Sequence, residues 1–391
     1  MRVWRRWRIA LAGVLLTLAL GACAPSIPFF SGDDVGVDEL LAQGQEALQK
    51  GDLESAMDIY NEAVDKYPNE SHPYHQRALV HAQLGDIASA LRDMDRSIER
   101  DPNDASHIFF RAGIYLNIGN LQGALDDLTR LIELDPGFVE AYLARASIYY
   151  AQNRMDEALA DVGMAIELRP NEAELYFRRA SFLLTRNDYQ GAVDDLSKAV
   201  EVNPDYAEAY YLRGLVEQVE GNLEAALADL SKAVELAPEQ PQPYVARAGI
   251  LQELERYDDA LVDLQQAVNI TPQSPEPYAA RAEVYRAMGQ LARALDDANR
   301  AIDLGEGDPR YLLTRAAVLA AQDNTTQALR DLDTAVEADP GLAQAFLQRG
   351  EIYENLGETE KAIEDYTRVL SIPASDQMLE QARAALERLR S

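Results

Sequence analysis

The chain has 391 residues, of which 47% are apolar and 26% are charged, so it can bury a core and wholesale disorder is not expected. Its 66 acidic residues outnumber the 36 basic ones and give a formal net charge of −30. Such a surface repels nucleic acid and anionic lipid headgroups, and we expect no nucleic-acid partner.

The N-terminus has the three parts of an export signal. Four arginines lie within the first eight residues, an apolar run extends from Ile9 to Leu20, and the small residues Gly21 and Ala22 precede Cys23, the one cysteine of the chain. This order is typical of a secretory signal peptide, and the apolar run is too short for a permanent membrane-spanning helix. We predict a signal peptide over residues 1–22.

The sequence Leu20-Gly21-Ala22-Cys23 resembles the lipobox of bacterial lipoproteins. The resemblance implies cleavage before Cys23, acylation of its thiol and a lipid anchor at the cell envelope. The protein is then expected on the inner leaflet of an outer membrane where two membranes exist, and otherwise on the outer face of the cytoplasmic membrane. An ordinary secretory signal with an incidental cysteine is the alternative. Residues 23–36, which contain Pro, Gly and Ser, are predicted to form a flexible tether.

A 34-residue period governs the rest of the chain. Prolines recur at 68, 102, 136, 170, 204, 238 and 272. With proline as position 32, ten repeats cover residues 37–374 and start at 37, 71, 105, 139, 173, 207, 241, 275, 309 and 343. Position 20 is Ala in all ten, position 8 is Gly or Ala, and position 4 is large and apolar or aromatic. The spacing predicts two amphipathic helices per repeat, A and B, with small residues where they approach.

The pattern resembles the tetratricopeptide repeat. The resemblance implies an all-α, right-handed superhelical solenoid of about ten helical hairpins, with the A helices lining a concave groove. Residues 375–391 are predicted to form a capping helix, with Met378, Leu379, Ala382, Leu386 and Leu389 on its apolar face.

Position 7 is Arg and position 23 is Asp in repeats two to ten, and repeat one lacks both. Joint presence and joint absence predict paired side chains between packed helices, as Arg–carboxylate forks. A row of arginines that binds phosphate or carboxylate ligands is the functional alternative. The predicted structural ladder includes Arg77, Arg111, Arg145, Arg179 and Arg213 with Asp93, Asp127, Asp161, Asp195 and Asp229.

All four histidines lie between residues 72 and 107. His72 and His75 are three residues apart on helix A of repeat two, but the sequence supplies no assured third ligand for a metal. We therefore favour satisfied or solvated histidines and expect no metal and no cofactor.

The groove prediction rests on apolar residues at position 5 and acidic residues at position 2. An apolar stripe edged with acid suits a peptide or helix that carries apolar anchors and some Lys or Arg. The alternative is that these side chains only complete the packing between repeats. The predicted groove residues are Phe109, Phe110, Leu143, Tyr150, Phe177 and Tyr211, edged by Glu140, Glu174 and Glu208.

No phosphate loop, dinucleotide glycine fingerprint, nucleophile elbow, HExxH or paired zinc cysteines occur in the sequence. The sequence predicts a non-catalytic scaffold or adaptor that binds protein partners at the membrane and takes no small-molecule substrate. An assembly factor of the pilotin type, or of outer-membrane or cell-wall machinery, is the alternative. An enzyme is a third class, and it would require turnover by the purified chain.

Overall fold

The computed structural model describes residues 35–390, and every regular element in that range is an α-helix. Twenty helices form ten hairpins, each made of helix A followed by helix B. The A helices are α1 (Val35–Gln49), α3 (Ser71–Gln83), α5 (Ala105–Asn117), α7 (Val139–Ala151), α9 (Ala173–Thr185), α11 (Ala207–Val219), α13 (Pro241–Glu253), α15 (Pro275–Ala287), α17 (Pro309–Ala321) and α19 (Ala343–Asn355).

The B helices follow after short turns. They are α2 (Leu53–Lys66), α4 (Ile87–Arg100), α6 (Leu121–Leu134), α8 (Met155–Leu168), α10 (Tyr189–Val202), α12 (Leu223–Leu236), α14 (Tyr257–Ile270), α16 (Leu291–Leu304), α18 (Thr325–Ala338) and α20 (Thr359–Ser371). A last helix, α21 (Asp376–Arg390), ends the described chain.

The predicted all-α fold class is confirmed. Nine A helices begin at the residue that the period predicts, while α1 begins at Val35 instead of 37. The residue one period before Pro68 is Asp34, so the sequence has no proline there to fix the start of α1. The predicted signal peptide, Cys23 and nearly all of the predicted tether lie outside the described residues.

Small residues at the helix contacts hold each hairpin together. The alanine at position 20 is fully buried in all ten repeats, from Ala56 to Ala362. Beneath it, position 24 supplies the large buried side chain, as in Met94, Leu128 and Tyr366. The two helices can approach closely because position 20 has no side chain beyond Cβ, and the larger side chain then fills the remaining space.

The turn from helix A to helix B has the same backbone in every repeat. Position 15 has a positive φ in all ten, and it is Gly in six of them, from Gly51 (φ 75°) to Gly357 (φ 77°). Asn153, Asn187, Glu255 and Asp323 adopt the same conformation in the others. This left-handed position ends helix A, and Gly is the residue that adopts it at least cost.

The turn from helix B to the next repeat is fastened by a tyrosine. In four repeats the hydroxyl of the position 4 tyrosine donates to the carbonyl of the preceding proline, and Tyr176 reaches Pro170 O at 3.0 Å. The periodic proline and the periodic aromatic residue thus form one connection between successive repeats.

Two compact units divide the chain, with the boundary between Gly191 and Ala192 inside α10. In the second unit, α21 buries Ala382, Ala385 and Leu386 against Phe346 and Tyr366 of repeat ten, in the position of a cap. No helix among the described residues is long and apolar enough to cross a membrane. The handedness of the superhelix stays a prediction.

Candidate functional site

Positions 2, 5, 9 and 12 lie on one side of helix A, and we call them the helix-A face. In repeats three to five of the first unit, position 5 is apolar and half-buried: Phe109, Leu143 and Phe177. Position 9 of the same repeats is Gly113, Ser147 and Ser181, all half-buried. Large apolar side chains thus alternate with small residues on this face, an arrangement that suits the apolar side chains of a partner.

Neighbouring aromatic rings hold two of the large side chains in place. The ring of Phe109 packs on Phe138 with centroids 5.1 Å apart. Tyr150, at position 12, stacks on the buried ring of Phe182 at 4.5 Å with an interplanar angle of 11°. Because each ring is supported on one side and half-exposed overall, binding a partner requires little additional ordering.

The prediction that Phe110 lines the groove is wrong. Phe110 is 4% exposed and belongs to a core cluster with Ala78, Met94 and Ile114. Position 6 points from helix A toward the preceding hairpin, so a large residue there completes the packing between repeats. Phe110 therefore contributes to stability and offers no surface to a partner.

Tyr211 and Glu208 belong to the second unit, whereas the other predicted groove residues belong to the first. Tyr211 is half-buried and packs on the cluster of Ala226, Leu230 and Ile250. Its burial raises the pKa of the phenol above the ordinary value. Glu208 is exposed.

The acidic edge of the first unit is partly neutralised. The Glu140 carboxylate pairs with Arg169 of the same repeat at 2.8 Å. Glu174 is 58% exposed, and Arg178 lies 3.8 Å away at its nearest nitrogen. Charge at this edge is therefore screened by solvent and by arginines, and it contributes less than the sequence pattern alone indicates.

The predicted Arg–Asp pairs are present in eight repeats. In each, Arg Nε and one terminal nitrogen donate to the two oxygens of the Asp carboxylate at 2.6–2.9 Å. The pairs are Arg77–Asp93, Arg111–Asp127, Arg145–Asp161, Arg213–Asp229, Arg247–Asp263, Arg281–Asp297, Arg315–Asp331 and Arg349–Asp365. Arg179 and Asp195 lie on opposite sides of the unit boundary, and their pairing stays a prediction.

The remaining arginine nitrogen also has a partner, which the sequence pattern did not predict. In seven repeats Nη1 donates at 2.7–3.2 Å to position 25 of the preceding B helix, for example from Arg145 to Thr129. One guanidinium thus joins three helices. Hydrogen bonds from these arginines to Asp raise the arginine pKa against the opposing effect of burial. Because an Asp carboxylate already accepts the two hydrogen bonds of each arginine fork, the row of arginines is poorly suited to bind a phosphate or carboxylate ligand.

A second polar cluster lies between repeats two and three. His107 is fully buried and His75 is 7% exposed, with ring centroids 4.7 Å apart. Within the described residues, both nitrogens of His107 and Nε2 of His75 lack a hydrogen-bond partner. Burial lowers the pKa of His75 to about 3 and that of His107 to about 4, so both rings are neutral at pH 7.

The expectation that the histidines are satisfied or solvated is wrong for His75 and His107. The sequence pairing of His72 with His75 also did not predict that Asp104 and His107 lie beside His72. His72 and Asp104 lie 3.9 Å apart, and His107 and Asp104 lie 3.5 Å apart, measured between Nε2 and Oδ2. The signal that could have revealed this cluster is the repeat itself, because residues about one period apart stack against each other.

Family models described as tetratricopeptide repeat match residues 75–241 in overlapping segments, as well as 313–377 and 40–70, and a model described as TPR repeat matches 250–289. A comparison with curated protein sequences finds no match.

One of the solved structures similar to this chain has a TM-score above 0.5 and shows the same fold. A tetratricopeptide repeat protein from Parabacteroides merdae aligns with a TM-score of 0.51 at 19% identity, over 73% of this chain and 99% of its own. Yeast Tom70 aligns with a TM-score of 0.46 at 17% identity, over 92% of this chain and 97% of its own. YrrB, described as a TPR protein with an unusual peptide-binding site, aligns at 0.38 and 26% identity, over 47% of this chain and 95% of its own.

Proposed function

The chain belongs to the tetratricopeptide repeat family, and from this premise we propose that it is a non-catalytic adaptor that binds a protein partner on the helix-A face of its first unit. The observation that carries the proposal is the recurrence of a half-exposed apolar side chain at position 5 in three successive repeats, at Phe109, Leu143 and Phe177. In repeats nine and ten the same position is buried in the core, at Leu313 and Leu347, whereas the three side chains of the first unit stay partly exposed to solvent.

The chemistry of this face favours an extended or helical segment with apolar anchors. Aromatic and aliphatic side chains beside small ones bind such anchors, and buried aromatic contacts carry most of the energy of typical interfaces. The net charge of −30 favours a basic partner and raises the rate of association more than the affinity. We further propose that a lipid on Cys23 holds this surface at the cell envelope, as the lipobox resemblance implies.

The experiment begins with a partner that co-purifies from native membranes and is then produced in pure form. Replacing Phe109 and Leu143 together by Ala should weaken binding of that pure partner by about thirtyfold, since loss of interface anchors costs roughly 2 kcal/mol or more. Calorimetric titration measures the change, and circular dichroism verifies that the variant remains helical.

The matched control replaces Met164 and Leu168, which are apolar and 39% exposed on helix B of repeat four, by Ala. This variant should bind the partner as the parent does. Equal affinity of the parent and the Phe109/Leu143 variant would place the binding surface elsewhere and reject the proposal.

A further inference from the structure

We propose that His72, Asp104 and His107 form a binding site for a divalent transition metal ion of the Zn²⁺ class, between repeats two and three. The proposal is independent of the adaptor function, because it rests on a different group of side chains.

The first argument is the free energy that it costs to bury the imidazole of His107 at a position where most repeats have an apolar residue. Position 3 of helix A is buried in repeats two to ten. The other eight residues there are Pro73, Ala141, Leu175, Ala209, Pro243, Pro277, Tyr311 and Ala345. A buried imidazole without hydrogen bonds costs free energy that Ala, Pro or Leu avoids. The His107 ring contacts the rings of His72 and His75, but its nitrogens have no hydrogen-bond partner among the described residues, and a metal ion would give one of them a partner.

The second argument is geometry. One ligand atom from each of the three residues lies within 4.8 Å of the other two. Ligand atoms around tetrahedral Zn²⁺ are about 3.3 Å apart, given bond lengths of about 2.0–2.1 Å. The distance of 3.5 Å between His107 Nε2 and Asp104 Oδ2 is already close to that value. His72 is one-third exposed, so its side chain can move the remaining distance.

The third argument is the orientation of Asp104. Its Oδ1 caps α5 by accepting from the backbone N–H groups of Ser106 and His107, which fixes the carboxylate. Its other oxygen, Oδ2, faces His72 and His107. The cluster thus combines two imidazoles with one carboxylate. The helix cap holds Oδ1 of this carboxylate, and Oδ2 is directed toward the two rings.

This set of ligands selects the class of ion. Two imidazole nitrogens suit Zn²⁺, Cu²⁺ or Ni²⁺, whereas Ca²⁺ and Mg²⁺ prefer oxygen ligands throughout. Three protein ligands leave one tetrahedral position, which water can occupy on the exposed side of His72.

The test is a titration of the purified, metal-stripped full chain with Zn²⁺ in millimolar Mg²⁺, which occupies weak acidic surface sites. We expect one Zn²⁺ per chain and a higher midpoint of thermal unfolding. Replacement of the ion by Co²⁺ should give the visible absorption bands of a tetrahedral site. The His107→Ala variant, which carries the residue of repeats four, six and ten, should lose at least tenfold in affinity.

Two further variants separate loss of the site from loss of the fold. Asp104→Asn preserves the helix cap, since Asn caps as well as Asp, and it should also weaken Zn²⁺ binding at least tenfold. His81→Ala removes a histidine that is not among the proposed ligands and should bind like the parent. Unchanged stoichiometry and affinity in both His107→Ala and Asp104→Asn, or no saturable Zn²⁺ binding by the parent, would overturn the proposal.

Discussion

At the scale of single residues, stability and recognition use different side chains of the same helix. The arginine at position 7 is 12–28% exposed in the eight described pairs, and its aspartate is 4–11% exposed. Position 5, two residues earlier, is apolar and half-buried in repeats three to five. The Arg–Asp pairs of the structural ladder fix the spacing of the helices. The position 5 side chains of successive repeats therefore lie at regular intervals along the helix-A face.

We predict that Arg145→Ala is clearly more destabilising than Arg96→Ala. Removing Arg145 leaves the Asp161 carboxylate without its fork, and loss of one member of a buried pair costs about 3–5 kcal/mol. Because Arg145 is 16% exposed, we expect the lower end of this range. Arg96 is 60% exposed and pairs with the exposed Glu99, and such pairs contribute roughly 0–1 kcal/mol.

Urea unfolding followed by circular dichroism measures both variants. Midpoints are the quantity to compare, since repeat arrays need not unfold in two states. Equal midpoints for the two variants would show that the ladder does not stabilise the fold.

The sequence predicted the ladder but not the histidine cluster, and the physical reasons differ. Arg and Asp recur together in nine repeats, so the pattern itself indicates a pair. His72, Asp104 and His107 occur once, and their proximity depends on how two successive repeats stack. The prediction for Phe110 is wrong because two faces of helix A are adjacent, the one that packs on the preceding hairpin and the helix-A face. Aromatic residues suit both faces, so the sequence pattern does not distinguish them.

At the scale of helices and hairpins, a glycine at position 8 in repeats one and ten leaves room for a large ring at position 24. Gly44 and Gly350 each face a tyrosine, Tyr60 and Tyr366, whereas Ala112 pairs with Leu128. A Cβ on Gly44 would clash with the ring of Tyr60. The bounds of the helices could be predicted from the sequence because these small positions repeat ten times. The sequence contains no comparable signal for the boundary between the two units.

We predict that Gly44→Ala lowers the thermal midpoint of the chain, although Ala is the better helix former. The clash with Tyr60 overpacks the contact, and overpacking typically costs about 1–3 kcal/mol. Adding Tyr60→Leu should restore most of the stability, since Ala with Leu is the combination of repeats three, five, seven and nine.

The control for this prediction is Gly163→Ala, a helical glycine whose added Cβ would meet no atom within 4 Å. It should stabilise by up to about 1 kcal/mol through helix propensity. If Gly44→Ala were equally stabilising, the close approach of α1 and α2 would be wrong.

At the scale of the whole molecule, we expect the N-terminal lipid to determine where the repeat array acts. Cys23→Ser should leave the protein unprocessed or soluble and remove it from the detergent phase in Triton X-114 partition, since the thiol is the expected site of acylation. Mass spectrometry of the N-terminal peptide measures the acyl chains directly. Detergent-phase partition of the serine variant equal to that of the parent would reject the lipoprotein interpretation.

The central claim is that a protein partner binds the helix-A face of the first unit, and site-specific photocrosslinking tests it most directly. A photoreactive phenylalanine analogue is placed at Leu143 on the helix-A face, and in a second variant at Met164, which is 39% exposed on helix B of the same repeat. We predict a covalent adduct with the purified partner from position 143 and none from position 164. An adduct from position 164 and none from position 143 would contradict the claim.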